Sequence, residues 1–222
     1  MSTELFHTIK TASMMTDSVI VGFSGGKDSV VTLDLCARYF KRVHPFFMYL
    51  VPGLSFQEAQ IKWYEQRYSV KIERIPHPML SSWLRWGTFR KAHYYWPEIT
   101  FNDVYKYMRL QTGCWWIAGG ERIADSIVRR AMIKRSGSID EKRGKIYPAA
   151  YFDKAAVMAY VKRHRLKMTP EYEALGYSFR GIEPQDMVKI RMYYPVDFER
   201  IKQMFPFVEA GIVKYENETS KV

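Results

Sequence analysis

Along the chain, short unbroken apolar runs alternate with longer stretches in which apolar residues recur every three or four positions. Val19 to Phe23 is β-branched and apolar, as a strand buried on both faces requires, and Ser29 to Phe40 sets Val30, Leu33, Leu35 and Ala37 at roughly helical spacing. Pro45 to Val51 reads as a second buried strand ending in the turn Pro52-Gly53, Phe56 to Tyr68 as a helix, and Lys71 to Ile75 as a third strand closed by Pro76 and Pro78. Asn102 to Thr112 predicts a helix capped by Asn102 and ended by Gly113. Trp115 to Ala118 and Ile146 to Ala149 supply two further strands, and Asp153 is placed to cap a helix reaching about His164. A short lead-in helix within residues 1–17 and a tail helix from Phe198 to Met204 complete the pattern. Strands alternating with helices predict an α/β fold with a doubly wound, mostly parallel five-stranded sheet, binding its ligand at the carboxyl ends of the strands.

Two segments carry no clean period. Ser81 to Trp96 mixes three tryptophans and other aromatics with arginine, lysine and histidine, which suits either a satellite core or a surface on which bases of single-stranded nucleic acid stack. Ser136 to Lys145 is rich in Gly, Ser and charge and reads as a mobile loop, either closing on a bound nucleotide with Lys142 and Arg143 or serving as a simple exposed linker.

Composition narrows the class. With 222 residues, 47% hydrophobic and 16% aromatic, the chain is long enough to bury a core and too apolar for disorder. No apolar run approaches the about 18 residues of a membrane span, and the opening MSTELFHTIKTASMMTD lacks the pattern of a signal peptide, so a cytoplasmic protein without membrane contact is expected. Cys36 and Cys114 are too few for a disulfide framework, an iron–sulfur cluster or a zinc site, and His77 and His93 have no metal-ligand spacing. The formal charge of +11 suits polyanionic partners, nucleotides first and nucleic acid second.

The chemistry concentrates where the first strand ends. Ser24-Gly25-Gly26-Lys27-Asp28-Ser29 lies between strand and helix: glycines let backbone N–H groups approach an anion, the helix N-terminus favours negative charge, and Ser24, Ser29 and Lys27 add donors. The spacing G-x-x-x-x-G-K-[ST] is not met, which argues against a β–γ-hydrolysing NTPase. A second glycine turn, Gly119-Gly120, follows the fourth strand and leads into a basic helix, so both turns are expected to face one crevice. There Arg122 and Arg129 can make bidentate contacts to phosphate or sulfate and Ser126 can donate a hydroxyl.

SGGKDS resembles the signature loop of the N-type (PP-loop) ATP pyrophosphatases, GERIADSIVRR resembles G-x-R-x-x-[DE]-S-x-x-R, and the segment from Tyr147 to Gly181 resembles the motif that follows it in the phosphoadenosine phosphosulfate (PAPS) reductase family. Over residues 17–181 the chain is similar to that family. The resemblance implies an adenine nucleotide alpha hydrolase-like domain over 1–181, with 182–222 as a helical or irregular extension packed on it. It implies that Ser24, Gly25, Gly26, Lys27, Asp28 and Ser29 bind the phosphate or sulfate end. Gly53, Gly120, Asp125, Ser126 and Arg180 complete the nucleotide pocket, and Lys27, Asp28, Arg122 and Arg129 act in catalysis. The implied cofactors are ATP and Mg²⁺, the ion held by Asp28, with no iron–sulfur cluster and no zinc. Two departures stand out. Val51-Pro52-Gly53 replaces the family's Asp-Thr-Gly, and Glu209-Ala210-Gly211-Ile212-Val213 has alanine where reductases carry the nucleophilic cysteine.

The expected activity is therefore ATP pyrophosphatase chemistry of the adenylyltransferase type, activating an acceptor in sulfur transfer or in DNA or tRNA modification, with a partner protein or a second copy involved. Two alternatives are a sulfonucleotide reductase using an external thiol and a nucleotide-binding subunit without turnover.

Overall fold

The computed structural model describes residues 3–219; Met1 and Ser2 of the expected lead-in, and residues 220–222, lie outside the described residues. The chain divides into two compact units that interleave along the sequence. Of the described residues, the first comprises those up to 47, 60–74 and 102–168, the second 48–59, 75–101 and those from 169 on.

The first unit is organised by a sheet. Its strands are β1 (Ser18–Gly22), β2 (Arg42–Tyr49), β3 (Glu73–Pro76), β4 (Ile117–Ala118), β5 (Ile139–Asp140) and β6 (Lys145–Ile146), in the order β3-β2-β1-β4-β6-β5. β1 pairs in parallel with β2 (Val21 opposite Pro45) and with β4 (Val21 opposite Ala118), and β4 pairs in parallel with β6. The sixth strand is a surprise. The segment expected as a mobile loop forms the antiparallel hairpin β5–β6, its turn fixed where Arg143 donates from N and Nε to the two carboxylate oxygens of Asp140, at 3.0 and 2.5 Å.

The helices of this unit are α1 (His7–Met15), α2 (Lys27–Tyr39), the second part of α3 (Ser55–Tyr68), most of α5 (Phe101–Thr112), α6 (Ile127–Ser136) and α7 (Lys154–Arg163). Their boundaries follow local chemistry. Asp153 caps α7 by accepting from Ala156 N at 2.7 Å, as expected. Gly113, at φ +65, follows the end of α5. Asn102 is not the cap of α5, because the helix begins one residue earlier and places Asn102 in its first turn. Val19, Ile20, Val21, Leu33, Leu35, Ile117, Ile146 and Val157 are buried, and Cys36 and Cys114 are buried free thiols, with burial raising the pKa of Cys36.

In the second unit α4 (Pro78–Trp86), α8 (Glu171–Leu175), α9 (Pro184–Tyr193), α10 (Pro195–Met204) and α11 (Val208–Thr219) surround one apolar cluster that includes Leu54, Leu84, Phe179, Ile190, Phe198, Phe205 and Ile212. The aromatic-rich segment is in part core. Trp83 packs edge-on against Phe205 at 5.6 Å, whereas Trp86, Tyr94, Tyr95 and Trp96 are exposed. Among the described residues no helix is long and apolar enough to cross a membrane.

Candidate functional site

The strand order creates the site. The chain leaves β1 toward β2 and β3 on one side and returns to β4 on the other, so the loops that follow β1 and β4 open side by side at a topological switch point. The loop after β1 reaches α2 through Gly25, whose φ of +77 is a left-handed conformation that glycine adopts without strain, and Gly26, the N-cap. No side chain caps α2, which leaves the positive end of its dipole open to a ligand. Ser24 Oγ donates to Ser29 Oγ at 3.1 Å and Ser29 Oγ to the Gly26 carbonyl at 2.9 Å, closing the loop on itself.

The second glycine turn presses against the first. A Cβ on Gly120 would stand 3.2 Å from both the Asp28 carbonyl carbon and the Ser29 nitrogen, so the two loops approach this closely only because residue 120 has no side chain. From the second loop Arg122, only 4% exposed, reaches across with Nε 2.8 Å from Asp28 Oδ1. This contact is one of charge rather than a hydrogen bond, because Arg122 Nε and Asp28 Oδ1 are both buried and neither finds an aligned partner among the described residues. Arg122 is otherwise held firmly: it donates to Asp125 Oδ1 at 2.6 Å and to the Phe152 carbonyl at 3.1 Å, and its N–H donates to Asp125 Oδ2 at 2.9 Å. Asp125 also pairs with Arg129 at 2.8 Å, and Ser126 caps α6 by accepting from Arg129 N at 3.1 Å. Lys27 Nζ stands 2.5 Å from Asp28 Oδ2.

Thus Ser24, Gly25, Gly26, Lys27, Asp28, Ser29, Gly120, Arg122, Asp125, Ser126 and Arg129 belong to one network in the first unit. Gly53 and Arg180 belong to the second unit. There the Arg200 guanidinium donates to the Gly53 carbonyl, and Arg180 lies over the Tyr177 ring at 4.5 Å. Of the two cations expected from the segment now seen as a hairpin, Arg143 is tied to Asp140 and Lys142 is exposed.

Three features escaped the sequence reading. Gln60, buried on α3, donates to the carbonyls of both Gly25 and Lys167 at 3.0 Å and so braces the glycine loop. Lys145 on β6 lies 3.2 Å from the Tyr105 ring centroid. Burial lowers its pKa to about 8 against the opposing pull of Glu121, which leads out of the second glycine turn. Asp34, on α2 behind the loop, is wholly buried and accepts from Arg38 Nε and Tyr160 OH, both at 2.6 Å, and from Tyr68 OH. Burial alone would raise its pKa, but these donors hold it below the ordinary value. Apart from the i,i+4 pair Asp34–Arg38, each partnership joins residues distant in sequence, and no local motif marks it.

The sequence profile of the phosphoadenosine phosphosulfate reductase domain matches residues 18–191. No curated protein sequence matches the chain. Among solved structures, the PAPS reductase of Candida auris in a phosphate complex is 16% identical, covers 80% of this chain and 87% of its own, and has a TM-score of 0.50, a likeness of fold. The U34-tRNA thiolase NcsA of Methanococcus maripaludis, with its 4Fe–4S cluster, is 14% identical over 92% of this chain and 79% of its own, with a TM-score of 0.49. The NH3-dependent NAD synthetase of Campylobacter jejuni is 14% identical over 95% and 91%, with a TM-score of 0.47. Against the expected cofactor set of ATP and Mg²⁺ without cluster or zinc stands the 4Fe–4S cluster that the thiolase itself holds. The expectation rested on a count of the cysteines in this chain, Cys36 and Cys114.

Proposed function

Because the chain belongs to the phosphoadenosine phosphosulfate reductase domain family, we propose that it binds ATP at the paired glycine turns and cleaves it between the α and β phosphates. An acceptor nucleophile forms a bond to the α phosphorus, the bond to the bridging oxygen breaks, and pyrophosphate leaves with the electron pair. The observation that carries this reading is the meeting of the uncapped N-terminus of α2 with Lys27 and the buried Arg122 across a contact made close by the missing side chain of Gly120. Such an arrangement offers fixed positive charge to a phosphate chain without reorganisation at the moment of reaction.

In this reading the loop N–H groups and Lys27 hold the β and γ phosphates, and Arg122 and Arg129 stabilise charge on the transferring group. Asp28 and Asp125 set those cations in place, and Ser24, Ser29 and Ser126 add hydroxyl donors. The acceptor comes from another molecule. A reductase acting through its own thiol is disfavoured because residue 210, in the Glu209-Ala210-Gly211 sequence, is alanine.

Two observations favour a second reading, a nucleotide-binding subunit without turnover: Lys27 is engaged by Asp28 at 2.5 Å, and Val51-Pro52 stands where the family motif has Asp-Thr. Pyrophosphate release from ATP, measured for the wild type and for Lys27→Ala, decides between them. The expected result is release that the substitution lowers by at least about a hundredfold, the scale of a lost charge stabiliser in a transition state. ATP binding without release would support the second reading, and sulfite release from PAPS with an added thiol would support a reductase.

A further inference from the structure

The charge of this protein is unevenly placed. Acidic and basic side chains nearly balance in the second unit, so the excess of +11 resides on the first. Within that unit α6 is the most one-sided element: Arg129, Arg130, Lys134 and Arg135 occur in ten residues with no acid among them. The helix is also scarcely embedded. Only Ile133 is buried, packed with Tyr147 and Ala150, while Ile127 and Val128 are 82% and 78% exposed.

Folding alone explains part of this. Lys134 and Arg135 lie in the last turn, where the helix dipole favours cations. Arg129 pairs with Asp125, a carboxylate it shares with Arg122. Arg130 is not explained in the same way: it sits near the positive end of the helix, four residues before Lys134, and among the described residues its guanidinium donates only to the Ile123 carbonyl, at 3.5 Å. At 100° per residue Arg130, Lys134 and Arg135 spread across the solvent face and interleave with Ile127, Ala131 and Val128. A helix lying on a membrane would instead segregate its apolar residues into a stripe. Mixed cations with interspersed small apolar contacts suit a ligand whose charge is strung along a backbone. From Arg129 to Arg135 the helix advances about 9 Å, enough to meet two to three phosphates of one strand at a duplex's axial rise of about 3.4 Å.

We propose that the exposed face of α6 binds nucleic acid through its sugar–phosphate backbone, Arg130, Lys134 and Arg135 being the contacting cations. The helix starts at Ser126, inside the network of the glycine turns, so a strand bound along it runs directly up to the candidate site. This deepens the proposed function, on which it rests for its purpose, by naming the acceptor class.

The test separates binding from turnover. A labelled 20-nucleotide DNA strand, the same sequence as RNA and the DNA duplex are titrated with the full chain by fluorescence anisotropy between 50 and 200 mM salt, without ATP. Wild type is compared with the triple variant Arg130→Gln/Lys134→Gln/Arg135→Gln and with the corresponding triple Glu variant. For three lost phosphate contacts the slope of log affinity against log salt is expected to become shallower by about two to three, with at least about a tenfold loss at the lowest salt. The Glu variant should lose more, and pyrophosphate release from ATP alone should match the wild type in both. Wild-type binding to none of the three probes, or unchanged affinity and slope in a Gln variant of wild-type thermal stability, would overturn the proposal. An acidic protein partner retained by wild type but not by the variants, with no nucleic-acid binding, would overturn it equally. Failure of pyrophosphate release alongside intact, slope-sensitive binding would sink only the catalytic reading.

Discussion

Gly120 and Asp34 show how single residues set the site. Gly120 needs no unusual backbone angle; what it needs is space, because a Cβ would press on the backbone of Asp28 and Ser29 at 3.2 Å. Gly120→Ala is therefore expected to keep the fold at a cost of about 1–2 kcal/mol by forcing the loops apart. It should weaken ATP binding by more than that loss of stability explains, as calorimetric titration beside a urea melt will reveal. Asp34 works from behind the loop. Its carboxylate is 0% exposed and ionised against three donors, so Asp34→Asn should cost about 2–4 kcal/mol at pH 7. Its folded-state pKa lies below the ordinary 3.8. The ionised network therefore stabilises the fold above that pH and loses its contribution as pH falls through the folded value. The stability gap between wild type and Asp34→Asn, measured by urea unfolding, should be constant near neutrality and narrow only below about pH 4.

Among the elements, α3 is anchored by a residue far along the chain. Asp197, 1% exposed, accepts from Ser55 N at 2.8 Å and from Ser55 Oγ at 2.5 Å, so it caps the helix from outside its own sequence. Asp197→Ala should cost about 1–3 kcal/mol and fray the first turn of α3, seen as faster amide exchange at residues 55–58. The tail illustrates a related limit of sequence reading. Pro184 and Pro195 look like breakers, yet each occupies the first turn of a helix, where a missing N–H costs nothing. Likewise the Gly- and Ser-rich stretch before β6 is ordered, because Asp140 satisfies Arg143 and Ile139 pairs with Ile146.

At the scale of the whole molecule, the two units share a chain that passes between them repeatedly, and the second unit's core draws on three separate segments, with Leu54, Leu84 and Phe205 as examples. A chain truncated after Gly181 would leave Leu50, Leu54, Phe56, Leu80 and Leu84 without Phe198, Ile201, Phe205 and Ile212. It is expected to aggregate on expression rather than yield a soluble monomer by size-exclusion chromatography; a well-folded product would show that the remaining segments close their own core. The sequence by itself determined what is local. The run Val19 to Phe23, the glycine loop, the cap at Asp153 and the period of α2 each depend on interactions within a few residues, and those same residues carry the family resemblance. Tertiary structure decided what is distant: that β4 lies beside β1, that Gly120 touches Asp28, that buried Arg122 faces the loop, and that Gln60 and Asp34 brace it. Strand order and the pairing of buried charges depend on which segments meet in the folded chain. Neither periodicity nor residue spacing encodes that meeting.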